Sequence, residues 1–567
     1  MSYCFNCGVK IEEEIRFCFN CGVKLADELM ESSDAKSDEK SFAKTGIIMT
    51  NSGIIAKMLG EEKKLVDEAI NDYINALKKA SIHYSLLDFA LDREIHPASW
   101  FTWQSQADYL KKRYNSLAKE SGKPPQYLFI VGGHDVVPMP VLKNREKTVR
   151  DEDVDTDLPY SYLCVDMVKK SDGSDDLNDY LLKYENSIYN LVIFKQAPKL
   201  KVGRLPIERE TTFDDFKNYL LRAASCALGG VPVSRGYAIT QDSWKVPSRV
   251  VSERMYEQGL FSLAGKNSPT HFKYNELHVA PNLSTEDIVT GFNRDANFYY
   301  FNLHGSDAPQ ACNFYSVDHN EVGSISFLPQ LIASSFKKNF FVTEACYGAK
   351  FKNYDKEYSM LLSAIYNQTI LYLGSSRIAW GSETKDISCA DVLCKRFIDG
   401  VLQNGESAGE ALIQARVEVV KNCLNSPAIH KLIVSALEFN LFGDPALGAS
   451  LPKSTHKKTV TAEPKLTLPE DFSYSVQSIY SSGESILDRV RGLVDANLQK
   501  IRDSINEHLY KHLNVEPRSL SDILSIKFHS GKEFYSFVYD QSTPDYTKII
   551  IANTDKSGQI QSILTSK

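Results

Sequence analysis

The sequence lacks what would send it to a membrane or to nucleic acid. None of its 567 residues fall in a stretch approaching the roughly 20 consecutive apolar residues of a membrane helix. Its first residues, MSYCFNCGVK, have neither the basic start nor the apolar run of a secretory signal, so a cytoplasmic location is the expectation. Charge of one sign is scarce too. With 65 basic and 72 acidic residues the net charge is −7, which gives no electrostatic case for nucleic acid or an anionic membrane. The 11 cysteines are an odd number, which argues against a complete disulfide framework. In a reducing compartment most of them stay as thiols.

What is present is the composition of an ordinary globular protein, 43% hydrophobic and 24% charged, in a chain long enough for several domains. Four of the cysteines cluster at the start. YCFNCGVKI (Tyr3–Ile11) recurs as FCFNCGVKL (Phe17–Leu25), which places Cys4, Cys7, Cys18 and Cys21 in the pattern C-x2-C-x10-C-x2-C. Two thiolates spaced by two residues chelate one side of a tetrahedral ion, and the second pair supplies the other. The glycine after each pair permits a tight turn that points backbone N–H groups at the sulfurs. A segment this short has no core of its own, so zinc would supply its folding free energy. A redox pair or two stray CxxC motifs would not explain the duplication. The segment resembles the small zinc ribbons found at the starts of prokaryotic proteins. With four thiolates there is no open coordination position, so one structural Zn2+ per chain is expected and chemistry must lie elsewhere. Lys10, Arg16 and Lys24 are offset by Glu12, Glu13 and Glu14, which argues against nucleic-acid binding by this ribbon.

The chain divides by composition into a ribbon (1–26), a charged, serine-rich linker (27–45), two α/β units (46–230 and 231–450), a second linker (451–472) and a C-terminal part (473–567). In the first unit EEKKLVDEAINDYINALKKA has helical spacing, IHYSLLDFA reads as a strand, SQADYLKKRYNSLAKE as a helix and YLFIVGGHDVVP as a buried strand. The second unit repeats the alternation. GYAITQDS reads as a strand, VPSRVVSERMYEQGL and STEDIVTGFN as helices, NFYYFNLHGSD and KKNFFVTEACYG as strands, with helices to about Asn440. Alternation of this kind predicts parallel sheets in two side-by-side α/β subdomains. In the last part Ile486, Val490, Leu493, Ile501, Ile505 and Leu509 predict a long amphipathic helix. SIKFHSG, EFYSFVYD and KIIIANT predict short strands after it, making a small α+β appendix of unassigned purpose.

In parallel α/β sheets chemistry collects beyond the carboxyl ends of the strands. Three strands of the second unit end in reactive residues there: His304-Gly305, Cys346 and Asp242. A thiol needs a base to act as a nucleophile, imidazole is the usual one, and a carboxylate on its other nitrogen would orient it. Gly305, lacking a side chain, would let its N–H approach a substrate carbonyl and form an oxyanion hole with that of Cys346. Each residue also has a plainer reading. An isolated cysteine is usually an apolar filler, a His-Gly a turn, and an aspartate a helix cap.

YYFNLHGSDA followed by FFVTEACYGAKF resembles the catalytic strands of the gingipain family of caspase-like cysteine peptidases. VGRLPIE (Val202–Glu208), ILYLGSSRIAWGS (Ile370–Ser382), EFNLFGDPAL (Glu438–Leu447), YLFIVGGHDVVP and DTDLPYSYL are similar in the same order, so the resemblance spans about 46–450. It implies a caspase-like parallel-sheet sandwich and a cysteine endopeptidase of protein or peptide substrates. By motif, Cys346 would be the nucleophile, His304 the general base and acid, and Asp242 an acidic support. Trp380 would wall the pocket for the side chain preceding the cut, with a plain core aromatic as the alternative. The family's arginine-cleaving members have an aspartate early in the helix after the ITQD-type strand. Here that region reads SWKVPSRVVSE, with Lys245 and Arg249, so Glu253, Glu383 or Asp307 would have to substitute, and a preference for basic residues does not carry over. Secreted members carry signal and pro-segments where this chain has a ribbon. Control would fall to a protein activator or regulator, or to self-cleavage in KNREKTVRDEDVDTD (Lys143–Asp157), a run that otherwise reads as a solvated loop. The contrasting expectation is an inactive scaffold that binds a protein partner, against which the intact His304, Gly305 and Cys346 count.

Overall fold

The computed structural model describes residues 44–90, 102–143, 153–163, 198–257, 277–280, 296–307, 314–317, 323–332, 338–423, 426–451, 474–481, 496–513, 515–528, 531–541 and 548–566, with strand backbone also at 2–3 and 10–11. The chain forms two compact units, Met1–Phe42 and Ala43–Lys567. In the first, Ser2–Tyr3 pairs antiparallel with Lys10–Ile11, bracketing the first CxxC knuckle. Cys4, Cys7, Cys18 and Cys21 themselves lie outside the described residues, as does the STEDIVTGFN segment.

The second unit is built on a ten-stranded sheet. Its order is Leu277–Ala280, Gly236–Gln241, Phe298–Asn302, Asn339–Thr343, Thr369–Ser375, Phe439–Phe442, Lys201–Leu205, Tyr127–Val131, Lys44–Thr50, Ile82–Asp88. Every neighbouring pair is parallel except Thr369–Ser375 with Phe439–Phe442. The sheet is therefore two parallel blocks running in opposite directions, meeting at one antiparallel seam. The two α/β units expected from sequence are fused edge to edge, and the mixed α/β architecture matches the expected fold class. One expectation changes. Helix does not run on to Asn440; it stops at Glu438, and Phe439–Phe442 becomes a strand that crosses to pair with Lys201–Leu205 of the first block.

The strands are fully buried apolar runs, as both faces of a parallel sheet require. Helices cover them by their apolar faces. In Lys63–Lys78 the buried residues Val66, Ala69, Ile70, Tyr73, Ile74 and Leu77 follow a three-to-four spacing. Phe213–Ser225 begins in a capping box, Thr212 and Asp215 each bonding the other's amide. The acidic half of the loop considered for self-cleavage is part of this fold: Asp153–Asp155 pairs with Val141–Lys143, and Val154, Thr156 and Asp157 are buried. Residues 144–152 lie outside the described residues.

The C-terminal part supplies five strands of a six-stranded antiparallel sheet, whose sixth is Trp380–Ser382. Helix Ala496–Leu513 packs on one face through Leu498, Ile501, Ile505 and Leu509. The expected apolar positions Ile486, Val490 and Leu493 lie outside the described residues. Two strands not expected from sequence complete the sheet, Tyr474–Ser481 and Ile560–Ser566. Among the described residues no helix is long and apolar enough to cross a membrane.

Candidate active site

The histidine and cysteine strands run parallel with Phe298 opposite Phe340 and Phe301 opposite Thr343. An aromatic ladder holds that register: Tyr299 stacks on Phe341 at 5.8 Å and Phe341 on Tyr372 at 4.9 Å. Such ring pairs contribute about 0.5–1.5 kcal/mol each beyond their area. His304 and Cys346 each lie three residues past the last matched pair, so both leave the sheet side by side at its carboxyl edge. The backbone of Gly305, next to His304, presses against that of Cys346. A Cβ at Gly305 would overlap the carbonyl oxygen of Cys346 and lie 2.9 Å from its amide nitrogen. Only glycine fits there.

The loop around the cysteine is pinned at nearly every amide. Those of Glu344, Ala345, Tyr347, Gly348, Ala349 and Lys350 donate to Phe301 O, Thr343 Oγ1, Arg377 O, Ala345 O, Ser375 O and Tyr347 O. Tyr347 has φ 54°, in the left-handed region, and its engaged N–H excludes it as an oxyanion donor. Tyr372 donates its hydroxyl to Gly348 O at 2.5 Å. Lys350 Nζ lies 2.8 Å from Asp307 Oδ2 and Tyr354 Oη donates to Asp307 O at 3.0 Å, tying the loop after Cys346 to the loop after His304. Asp307 is thus engaged in holding the two loops together.

Both reactive side chains are closed off from water. Cys346 is 2% exposed and its Sγ lies 3.7 Å from the carbonyl oxygen of Ala379; His304 is 7% exposed. The Trp244 ring meets the imidazole edge-on at 4.6 Å. Burial, with the charge of Lys548 added, holds the His304 imidazole down at about 3, so it is neutral at physiological pH. Glu383 follows the strand Trp380–Ser382 and is partly buried. Burial pushes its carboxyl up to about 7, against the opposing pull of Lys548. Trp380 is fully buried with Lys431 Nζ 3.8 Å from its ring centre, so in this state its ring belongs to the core. Asp242 opens a short turn, Asp242–Trp244, at the end of Gly236–Gln241; its side chain lies outside the described residues.

The structure therefore brings together His304, Gly305 and Cys346, with Trp380 and Glu383 on the adjacent strand and its exit. Sequence reasoning missed Trp244, Lys548 and Thr565. Trp244 had a weak signal, a lone large aromatic in the polar DSWK turn. Lys548 and Thr565 had none, because they approach from the far end of the chain.

The profile of peptidase family C25 matches residues 102–450. The chain belongs to peptidase family C25. It is a cysteine peptidase, a hydrolase of peptide bonds, as the gingipain resemblance implied. No curated protein matches the sequence. Among solved structures it is similar to the Arg-specific cysteine proteinase gingipain R (RgpB), at 10% identity and TM-score 0.45, covering 93% of this chain and 98% of that one. It is also similar to the complex of Porphyromonas gingivalis RgpB pro- and mature domains, at 10% identity and TM-score 0.43, covering 92% and 99%. A structure described as a protease gives 13% identity and TM-score 0.43, covering 93% and 91%. Within the C25 match fall His304, Gly305, Cys346, Asp242, Trp380 and Glu383.

Proposed function

We propose that this C25 peptidase is a cytoplasmic endopeptidase working through a Cys346–His304 dyad. The observation that supports the reading is the backbone contact of Gly305, the residue after His304, with Cys346 at one sheet edge. His304 takes the Sγ proton, and the thiolate attacks the scissile carbonyl carbon. The resulting oxyanion lies by the N–H groups of Gly305 and Cys346. His304 then gives its proton to the departing amine; the C–N bond breaks and a thioester remains. Water, deprotonated by His304, attacks the thioester, the C–S bond breaks, and the proton returns to Sγ as the acid leaves. Asp242 is assigned the support of the imidazole, and Trp380 with Glu383 the pocket for the residue before the cut. A neutral His304 is the form that accepts the first proton, but its present burial disfavours the imidazolium that follows. Catalysis then needs a more open site, which fits control by a protein regulator or by self-cleavage.

At the N-terminus the donor set of Cys4, Cys7, Cys18 and Cys21 suits one tetrahedral zinc. The strand pair bracketing the first knuckle supports a ribbon there. This metal is assigned a structural role.

Purified wild-type protein, Cys346→Ala and His304→Ala incubated with a mixed peptide library, with fragments read by mass spectrometry, test the dyad. Both substitutions are expected to lower cleavage by about a thousandfold or more. Cleavage surviving in Cys346→Ala would sink the assignment.

A further inference from the structure

The last strand of the chain, Ile560–Ser566, has two partners. On one side it pairs antiparallel with Ile549–Asp555 of its own sheet. On the other it pairs with Trp380–Ser382 of the catalytic unit, Trp380 opposite Ser566, Gly381 opposite Thr565 and Ser382 opposite Leu564. The six-stranded sheet thus takes its outermost strand from the wall of the candidate active site. That strand immediately follows Ala379, whose carbonyl oxygen lies 3.7 Å from Cys346 Sγ. An extended peptide reaching the thiol would bind by adding its backbone to this edge. Here the edge is already filled by the chain's own terminus.

Further observations tie the strand and its sheet to the site. Trp244 donates its indole N–H to Thr565 Oγ1 at 3.1 Å while its ring lies against His304. Lys548, which immediately precedes Ile549–Asp555, brings its charge to His304 and Glu383. The sheet's two faces are also divided. Leu524, Ile526, Val538, Ile549, Ile551 and Leu564 join the core of the catalytic unit, whereas the alternate residues pack on helix Ala496–Leu513. The C-terminal sheet is therefore docked over the site as a layer of the structure, with its terminal strand inserted at the reactive edge.

We propose that Ile560–Ser566 is a built-in plug: the C-terminal sheet holds the peptidase closed, and substrate reaches Cys346 only when the terminal strand leaves Trp380–Ser382. This rests on the dyad reading above, and its test separates the two.

Two full-length variants are compared with wild type by the rate at which iodoacetamide alkylates Cys346, read by peptide mass spectrometry. Thr565→Pro removes a strand N–H and releases the plug. Ser382→Cys/Leu564→Cys locks it, since opposed antiparallel residues stand about 4.5–5.5 Å apart, within disulfide reach. The buried thiols Cys226, Cys389 and Cys394 report on global unfolding in the same digest. The released variant is expected to label Cys346 at least tenfold faster than wild type with those three unchanged. The oxidised lock is expected to label it at least tenfold slower, with reduction restoring the wild-type rate. A lock that labels Cys346 as fast as wild type overturns the plug, and this result decides the matter even if Thr565→Pro unfolds and all four thiols react. Fast labelling of the released variant without peptide cleavage would keep the plug and remove the dyad. Equal cleavage by wild type and locked protein would do the reverse.

Discussion

Gly305 concentrates the site's geometry in one position. Its backbone is pressed against the backbone of Cys346 so closely that a single methyl group overlaps a carbonyl oxygen. The clash is with backbone, which cannot rotate away, and Cys346 sits in a loop whose neighbouring amides are already engaged. The two strand ends would have to separate, and the ladder of Tyr299, Phe341 and Tyr372 resists this. Gly305→Ala is therefore expected to lower stability by about 1–3 kcal/mol, the usual cost of overpacking. Peptide cleavage is expected to fall at least a hundredfold, because the nucleophile and base no longer stand in register. Chemical denaturation and cleavage assays on the same preparation check this. A variant with wild-type turnover would mean that the Gly305–Cys346 contact does not position the reactive groups.

At the scale of elements, the family-like segments outside the catalytic strands turn out to meet one another at the seam between the two blocks. Arg204 of VGRLPIE is fully buried and makes a bidentate pair with Asp157 of DTDLPYSYL, at 2.8 and 2.6 Å. Its remaining N–H donors reach Gly132 O and Val137 O of the VGGHDVVP turn, each at 2.8 Å. Asn440 of EFNLFGDPAL accepts from the Asp157 amide at 3.0 Å, and Asp444 accepts from the hydroxyls of Tyr73 and Tyr84 at 2.7 and 2.6 Å. These residues hold the sheet's reversal of direction rather than the chemistry. Asp157→Ala would leave a guanidinium buried without its carboxylate, so a loss of about 3–5 kcal/mol is expected in urea unfolding, with the denaturant slope unchanged. A loss below 1 kcal/mol would show that the seam does not depend on this pair. The same elements show what the sequence made legible. Continuous apolar runs ending in His304 and Cys346 declared buried strands and their reactive edge, and the spacing of Ile501, Ile505 and Leu509 declared the amphipathic helix. Phe439–Phe442 did not declare itself, because an apolar tetrapeptide directly after a helix has the local look of more helix, and both of its partners, Thr369–Ser375 and Lys201–Leu205, are distant in sequence. Ile560–Ser566 was hidden for the opposite reason: Gln561, Ser562, Thr565 and Ser566 dilute its apolar residues, and only the register with Trp380–Ser382 gives it meaning.

For the whole molecule, two compact units have different sources of stability. Residues 43–567 bury a core that runs from Ile47 through both sheet blocks to Leu564, and apolar burial is the main term in their folding. Residues 1–42 have two short strands among their described residues and a four-cysteine donor set, so on the zinc proposal above the metal would be the main term in their folding. If that division holds, zinc and catalysis are separable. Native mass spectrometry should find one zinc per chain in wild type and none in Cys4→Ser/Cys7→Ser, since a four-thiolate site loses its ion with half its ligands. The thermal transition of the larger unit should stay within about 1 °C of wild type. The iodoacetamide rate at Cys346 should not change, because the described groups around the thiol, the Ala379 carbonyl and the Gly305 backbone, belong to the second unit. A metal-free variant whose Cys346 labels faster would mean that the ribbon also restrains the plug. The site would then be governed from both ends of the chain, with zinc occupancy as one of its controls.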